Sequence, residues 1–444
     1  MFFDDRKFLC RGLITVILIG VIVRMMLGYY LEYNNDISAM TTTIANIDSG
    51  NGLYSVAGYY YPPVWGYMLA TFGEIIEHLG VDSLGDYFTE ILFMEEIDEE
   101  AIVITPVFSF VYTMYLMISD FLVSAAIYWI IYHFTEDRVK AKIGFTMFFL
   151  GIHVFIISAV GGMFDTFSAL FTLICIILLL RGMDFSAGIM FALGVLLKLF
   201  PAFFIFILIA YIIKKYPDCW KIRLSKAIIG AALVTLIIML PQIIEGTVMN
   251  SLSFITGRAG GSSGTESLSF WEKYHDLIHY VLMMVLEIVV AVVFFKRKTD
   301  DVDRTFVLFT IVSALIIFLN PGSPQYGILL TPFLIIGTVI YCPKMIWAYI
   351  VFMIGSIVGH MMHFQSDFIA ITMFNHAMPF DTFVSFYDFY HSNDHFYYEL
   401  LFDLGYNIES IGVLLGVWVI LPLLGIEVIE IVKKHLPKKE EGSQ

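Results

Sequence analysis

Apolar runs of about 16 to 24 residues recur along almost the whole chain, separated by short stretches in which charge and glycine gather. A bilayer core asks for roughly 20 apolar residues per helix, and backbone inside it must satisfy its own hydrogen bonds. The pattern therefore predicts an all-α, polytopic membrane protein with about twelve transmembrane helices. They fall near residues 12–31, 106–132, 144–160, 166–180, 185–199, 202–213, 227–244, 276–295, 305–319, 327–342, 345–362 and 408–432. Pro62 to Leu79 is apolar but short and carries Glu74 and Glu77, which predicts a juxtamembrane helix on the interface with Pro63 in its first turn. A further helix is expected over Ile37 to Ile47, with Asp36 as its N-cap. The first run lacks a small-residue cleavage site and reads as a retained span. No internal repeat is visible, so residues 1–444 read as one integral-membrane domain.

Lysine and arginine set the expected orientation, because short cytoplasmic loops carry the positive excess. Arg6, Lys7 and Arg11 put the N-terminus inside. From Tyr33 to Tyr132 there is no lysine or arginine, and Glu90 to Glu100 is strongly acidic, so residues 32–105 form a first extracytoplasmic loop. Arg138, Lys140 and Lys142, the cluster Lys214 to Lys226, and Lys296 to Arg304 are expected inside. Residues 245–275 and 363–407 are expected as further outer loops, and 433–444 as a cytoplasmic tail. The reading is a multi-pass protein of the cell membrane with both termini cytoplasmic. Cys10, Cys219 and Cys342 fall inside and Cys175 within the bilayer, which leaves no disulfide framework.

Some runs are shorter than a bilayer needs, so the outer turns GGMFD (Gly161 to Asp165) and KLFP (Lys198 to Pro201) are expected below the surface. Irregular backbone at that depth is tolerated only where it faces protein or a water-filled cavity. Composition agrees: 59% hydrophobic residues exclude a soluble globular chain, and a net charge of −15 speaks against nucleic acid as a partner.

Candidate chemistry gathers at the outer face. Asp36, just beyond the first span, is either a helix cap or a carboxylate whose low-dielectric setting suits it to act as general base. Glu32 and Asp48 are weaker candidates in the same loop. Intramembrane cations are functional hypotheses by default. Lys198 either holds a phosphate or snorkels to the headgroups. Arg24 lies about two turns below the outer end of its span, where it meets a phosphate or pairs with Asp120 or Asp165. Arg258, in GRAGGSSG, is either a phosphate ligand or a solvated loop charge. Asp120 and Asp165 are buried-looking acids that would orient a cation or bind a sugar. Tyr60 and Tyr61 would stack on a sugar ring or belong to an interfacial aromatic belt. His360 and His363, with His376, His391 and His395, lack a defining metal-ligand spacing, and no metal is expected.

The pieces Asp36, YYYPPVW (59–65), SDFLVSAAIY (119–128), GGMFDTFSALFTLICIILLLRG (161–182), FALGVLLKLFPAFF (191–204) and SPQYGILLTP (323–332) occur in a telling order. In that order the chain resembles the GT-C superfamily of polytopic glycosyltransferases, and within it the mannosyltransferases of the glycosylphosphatidylinositol-anchor pathway and their prokaryotic relatives. The resemblance implies a polyprenyl-phosphate-linked sugar donor and a glycan, glycolipid or protein acceptor, with no cofactor. It makes Asp36 the base on the acceptor hydroxyl, and it puts Lys198 with Gln325 and Tyr326 beside the donor phosphate and sugar. Asp36 is preceded by asparagines in place of a second acid, which argues against a metal requirement. The expected activity is transfer of a hexose, mannose first, with inversion. The rival expectation is a polytopic transporter or flippase of lipid-linked glycans, which would keep its site at the midplane and often repeat its halves.

Overall fold

The computed structural model describes residues 11–31, 34–54, 59, 61–81, 87–88, 101–102, 105–251, 270–319, 324–363 and 394–425. The described chain is helical apart from one antiparallel pairing of two residues on two, Tyr87–Phe88 with Ala101–Ile102. In order, the helices are α1 (Arg11–Tyr30), α2 (Asn34–Asp48), α3 (Pro63–Leu79), α4 (Pro106–Thr135), α5 (Arg138–Phe149) and α6 (Ile152–Val160). Then come α7 (Asp165–Leu180), α8 (Asp184–Leu197), α9 (Ile205–Lys215), α10 (Trp220–Glu245), α11 (Phe270–Lys296) and α12 (Val302–Ile317). The last three are α13 (Gly327–Ile336), α14 (Met345–His363) and α15 (Asp394–Ile420).

Helix ends follow local chemistry. Pro63 opens α3, as expected, and Gly80 closes it in a left-handed conformation (φ 62°) while Val81 N–H donates to Ile76 O over 3.0 Å. Thr105 caps α4 ahead of Pro106, and Asp137 caps α5 by accepting from Val139 N over 2.8 Å.

A helix lies at each expected span, and among the described residues five of them are, taken singly, long and apolar enough to cross a bilayer. The five are Arg11–Tyr30, Pro106–Thr135, Trp220–Glu245, Ile278–Lys296 and Asp403–Leu424. The pair α5 and α6, bent by 41°, brings the number to six if it is one span. Asp165–Leu180, Asp184–Leu197, Gly327–Tyr341 and Met345–Gly359 are shorter apolar helices. The shorter helices have local causes. Gly151 interrupts the path from α5 into α6, which winds as a π-helix over Phe155–Val160, and Lys198 ends α8 in an extended conformation. A bilayer environment is written on the surface as well. Ile222, Ile229, Leu233, Leu236, Ile237 and Leu240 stand exposed along α10, an apolar face that only lipid or another protein would cover.

Close helix contacts rest on small residues. A Cβ on Gly188 would lie 1.9 Å from Ala227 O, and one on Gly230 2.1 Å from Phe185 O, so α8 and α10 meet backbone to backbone. The seam between α14 and α15 is built alike, through Gly355, Gly405 and Gly412. Along the flank of the bundle, α7 to α10 enclose an apolar groove of about 630 Å³, lined among others by Phe191, Leu208, Ile212, Ala231 and Met239.

Candidate active site

Helix direction brings the start of α7 and the end of α8 to one end of the bundle, so the GGMFD and KLFP turns meet there. Both turns are buried within the protein. Gly161 to Phe164 are buried, and Lys198 is only 6% exposed. They face protein. Gly162 takes a left-handed conformation (φ 64°), receives a hydrogen bond from Tyr112 Oη at 3.0 Å, and leaves so little room that a Cβ would stand 2.5 Å from Ile37 Cγ1.

Lys198 does not snorkel. Its ammonium donates to Asp165 Oδ1 and lies 4.4 Å from the ring centroid of Tyr326 and 5.1 Å from that of Phe164. Asp165 is the first residue of α7, where the helix dipole also favours a carboxylate. The ammonium therefore need not neutralise Asp165 alone, and an ammonium has three donors to offer.

An aromatic wall stands beside this pair. Phe164 stacks on Trp65 of α3 at 4.1 Å and 8°, and Tyr61 meets Phe164 edge-on at 5.0 Å. Trp65 is fully buried, and its Nε1 donates to Met40 Sδ of α2 at 3.2 Å. Helices α2 and α3 of the first loop are thus packed onto the same turns that hold Lys198 and Asp165. Sequence reasoning passed over Trp65, although a tryptophan two residues after Pro63, in the first turn of an apolar helix, was a signal for an anchored loop.

The principal expected base sits on this docked helix. Asp36 is the third residue of α2, inside its first turn and not at its N-cap, because the helix begins at Asn34. Its side chain lies outside the described residues, but the next residue, Ile37, is the one that packs on Gly162. Asp48 ends the same helix, about 18 Å away at 1.5 Å per residue. Partial desolvation there, with the charges of Glu77 and Glu74, holds its carboxyl above the usual range.

Arg24 and Asp120 form a separate, buried pair. Arg24 Nε donates to Asp120 Oδ2 at 2.9 Å, Nη1 donates to Phe149 O at 2.9 Å and Gly20 O at 3.2 Å, and Ser158 Oγ donates to the same Asp120 oxygen at 2.7 Å. The guanidinium centre lies 4.5 Å from the rings of both Phe149 and Phe155, and neither charged residue is exposed. This is the pairing alternative of the two open for Arg24, and it ties α1, α4, α5 and α6 together. Gln325 and Tyr326 lie on a 3-10 turn, Pro324–Tyr326, that leads into α13. Arg258, Glu32, His376 and His391 lie outside the described residues, as do Tyr60 and the side chains of His360, His363 and His395.

Among the described residues, no three His, Cys, Asp or Glu side chains converge where they could hold a metal ion. Among the described residues three further buried acids escaped the sequence reading, Asp184 in α8, Glu287 in α11 and Glu409 in α15.

The family model for glycosyltransferase family 87 matches residues 100–321, half of the chain. The chain belongs to glycosyltransferase family 87. This is a GT-C-type family of membrane glycosyltransferases, so the resemblance of the ordered motifs holds and the transporter reading loses its ground. A comparison with curated proteins finds no match. The family 87 stretch takes in Asp120, Asp165 and Lys198. Arg24, Asp36, Gln325 and Tyr326 lie on either side of it.

Proposed function

We propose that this family 87 glycosyltransferase moves a hexose, mannose first, from a polyprenyl phosphate to an extracytoplasmic acceptor, with inversion. The reading rests above all on one observation: a buried lysine, held by Asp165 under Tyr326 and Phe164, stands where the helices of the first loop dock. An ammonium so placed suits a phosphodiester, with the sugar lying toward Gln325 and Tyr326. The apolar groove along α8, α9 and α10 suits a polyprenyl chain arriving sideways from the bilayer.

In this reading Asp36 takes the proton of the acceptor hydroxyl. The acceptor oxygen forms the new bond to the anomeric carbon from the face opposite the phosphate. The bond from carbon to phosphate oxygen breaks, and polyprenyl phosphate leaves with its electron pair. Tyr60, Tyr61 and Arg258 are assigned to the acceptor and donor on the outer side. Arg24 and Asp120 support the site from beneath, and Asp165 orients Lys198. The positive-inside pattern puts both termini in the cytoplasm and the site outside the cell membrane. Residues 1–444 would then work as one catalytic unit.

The test is incubation of the purified protein with a panel of polyprenyl-phosphate sugars and, separately, nucleotide sugars. Transfer from a polyprenyl-phosphate hexose, with the opposite anomer in the product, supports the reading. Transfer from nucleotide sugars alone sinks it.

A further inference from the structure

Glu409 lies on α15 inside the seam with α14, fully buried, and among the described residues neither carboxyl oxygen has a hydrogen-bond partner. The approach is close enough that a Cβ on Gly355 would stand 2.3 Å from Glu409 N. Helix packing asks for no charge there; small and apolar residues make such seams on their own. An acid at that depth costs free energy, and it is kept where it serves a function.

Its surroundings say which one. A Cβ on Gly327 would lie 3.0 Å from Glu409 Oε1 and 2.9 Å from Ser356 Oγ, so only glycine lets the carboxylate reach the start of α13. Ser356, on the facing helix, is the polar neighbour of the Glu409 carboxyl group. Gly327 directly follows the Pro324–Tyr326 turn, whose Tyr326 ring lies against the Lys198 ammonium. Tyr406, one turn earlier on α15, is within electrostatic reach of both Glu409 and Tyr326. On the turn itself, Gln325 Oε1 is a second buried atom with no partner. The unsatisfied atoms flanking this turn, among the described residues, are the two carboxyl oxygens of Glu409 and the amide oxygen of Gln325. Groups that both donate and accept would complete them, and a sugar's hydroxyls do both.

We infer that Glu409 is a sugar-hydroxyl acceptor of the donor site, set on the far side of Tyr326 from the phosphate-binding Lys198. This rests on the polyprenyl-phosphate reading above. It divides the donor's recognition into a phosphate half on α7 and α8 and a sugar half on α13 and α15.

The test measures binding of two ligands of equal chain length, polyprenyl-phosphate mannose and sugar-free polyprenyl phosphate, in nanodiscs. Glu409→Gln keeps the shape, and Glu409→Asp keeps the carboxyl group but draws it back by one methylene. Loss of hydrogen bonds to the sugar predicts a loss of roughly five- to tenfold for the sugar-bearing ligand in both variants. Affinity for the sugar-free lipid should stay within about twofold, and the unfolding midpoint should stay near that of the parent protein. Equal losses for both ligands, or no loss for either, overturn the inference and leave Glu409 a seam residue. If the parent protein binds neither ligand yet transfers from nucleotide sugars, the polyprenyl-phosphate reading itself fails and takes this inference with it.

Discussion

The buried pair Arg24–Asp120 gives the sharpest structural prediction, because it separates a residue that holds the fold from one that binds the donor. At 2.9 Å with both partners fully buried, attraction at an effective dielectric of 20 is about 6 kcal/mol before desolvation is subtracted. Desolvation of two ions offsets most or all of that, so the intact pair contributes little net stability. Removing one partner is different, because the other charge stays buried and uncompensated. Asp120→Ala should therefore destabilise by about 3–5 kcal/mol, and Arg24→Met by a similar amount. The double variant R24M/D120L, which removes both charges and fills the space, should recover most of the loss. The assay is titration of the detergent-purified protein with a denaturing detergent, read by tryptophan fluorescence. Donor affinity is measured on the folded fraction and should stay within a few-fold. A stable Arg24→Met protein that has lost donor binding would refute the reasoning and move Arg24 into the phosphate site.

Three further outcomes follow from the same geometry. Lys198→Met should weaken donor binding by about 1.5–3 kcal/mol, roughly 10- to 150-fold. Because that change also strands Asp165, the double variant K198M/D165N should restore stability without restoring binding; unchanged donor affinity in either would remove Lys198 from the site. Gly162→Ala should cost about 1–2 kcal/mol at a left-handed position and push Ile37 outward. Transfer should then slow by up to about 100-fold while donor binding holds, as misplaced catalytic groups do, and an unchanged rate would mean that α2 does not position the chemistry. Single cysteines at Gly264 and Pro217, in a cysteine-free background, should react with an impermeant reagent on intact cells at 264 and not at 217; the opposite pattern reverses the orientation.

Much of this was readable from the chain before its fold was known. The apolar runs located the helices, Pro63 marked the start of α3, and the stray cations Arg24 and Lys198 with the acids Asp120 and Asp165 were the residues that pair in the bundle. Which acid takes which cation was not readable, because the choice depends on helix rotation and on partners 33 and 96 residues apart. Span number was legible only coarsely, since a π-helical stretch or an extended residue shortens a helix without changing its composition. Trp65 and Glu409 were missed for opposite reasons. Trp65 was overshadowed by the tyrosine cluster just before it, and Glu409 stood at the edge of an apolar run, where an acid usually faces water. Its burial comes from the glycine seam with α14, a contact that local sequence does not announce.

The central claim, that Asp36 is the base of a lipid-linked sugar transfer, is tested most directly by Asp36→Asn. Asparagine matches aspartate in shape and removes only the basic carboxylate. Loss of a general base predicts a fall in turnover of about 10²–10⁴-fold, with donor affinity within a few-fold, because the carboxylate acts on the acceptor. Asp48→Asn, about 18 Å along the same helix, is the control and should leave turnover nearly unchanged. If Asp36→Asn keeps most of the transfer activity, the account is contradicted, and the base must be sought among the other acids of the site, Asp165 first.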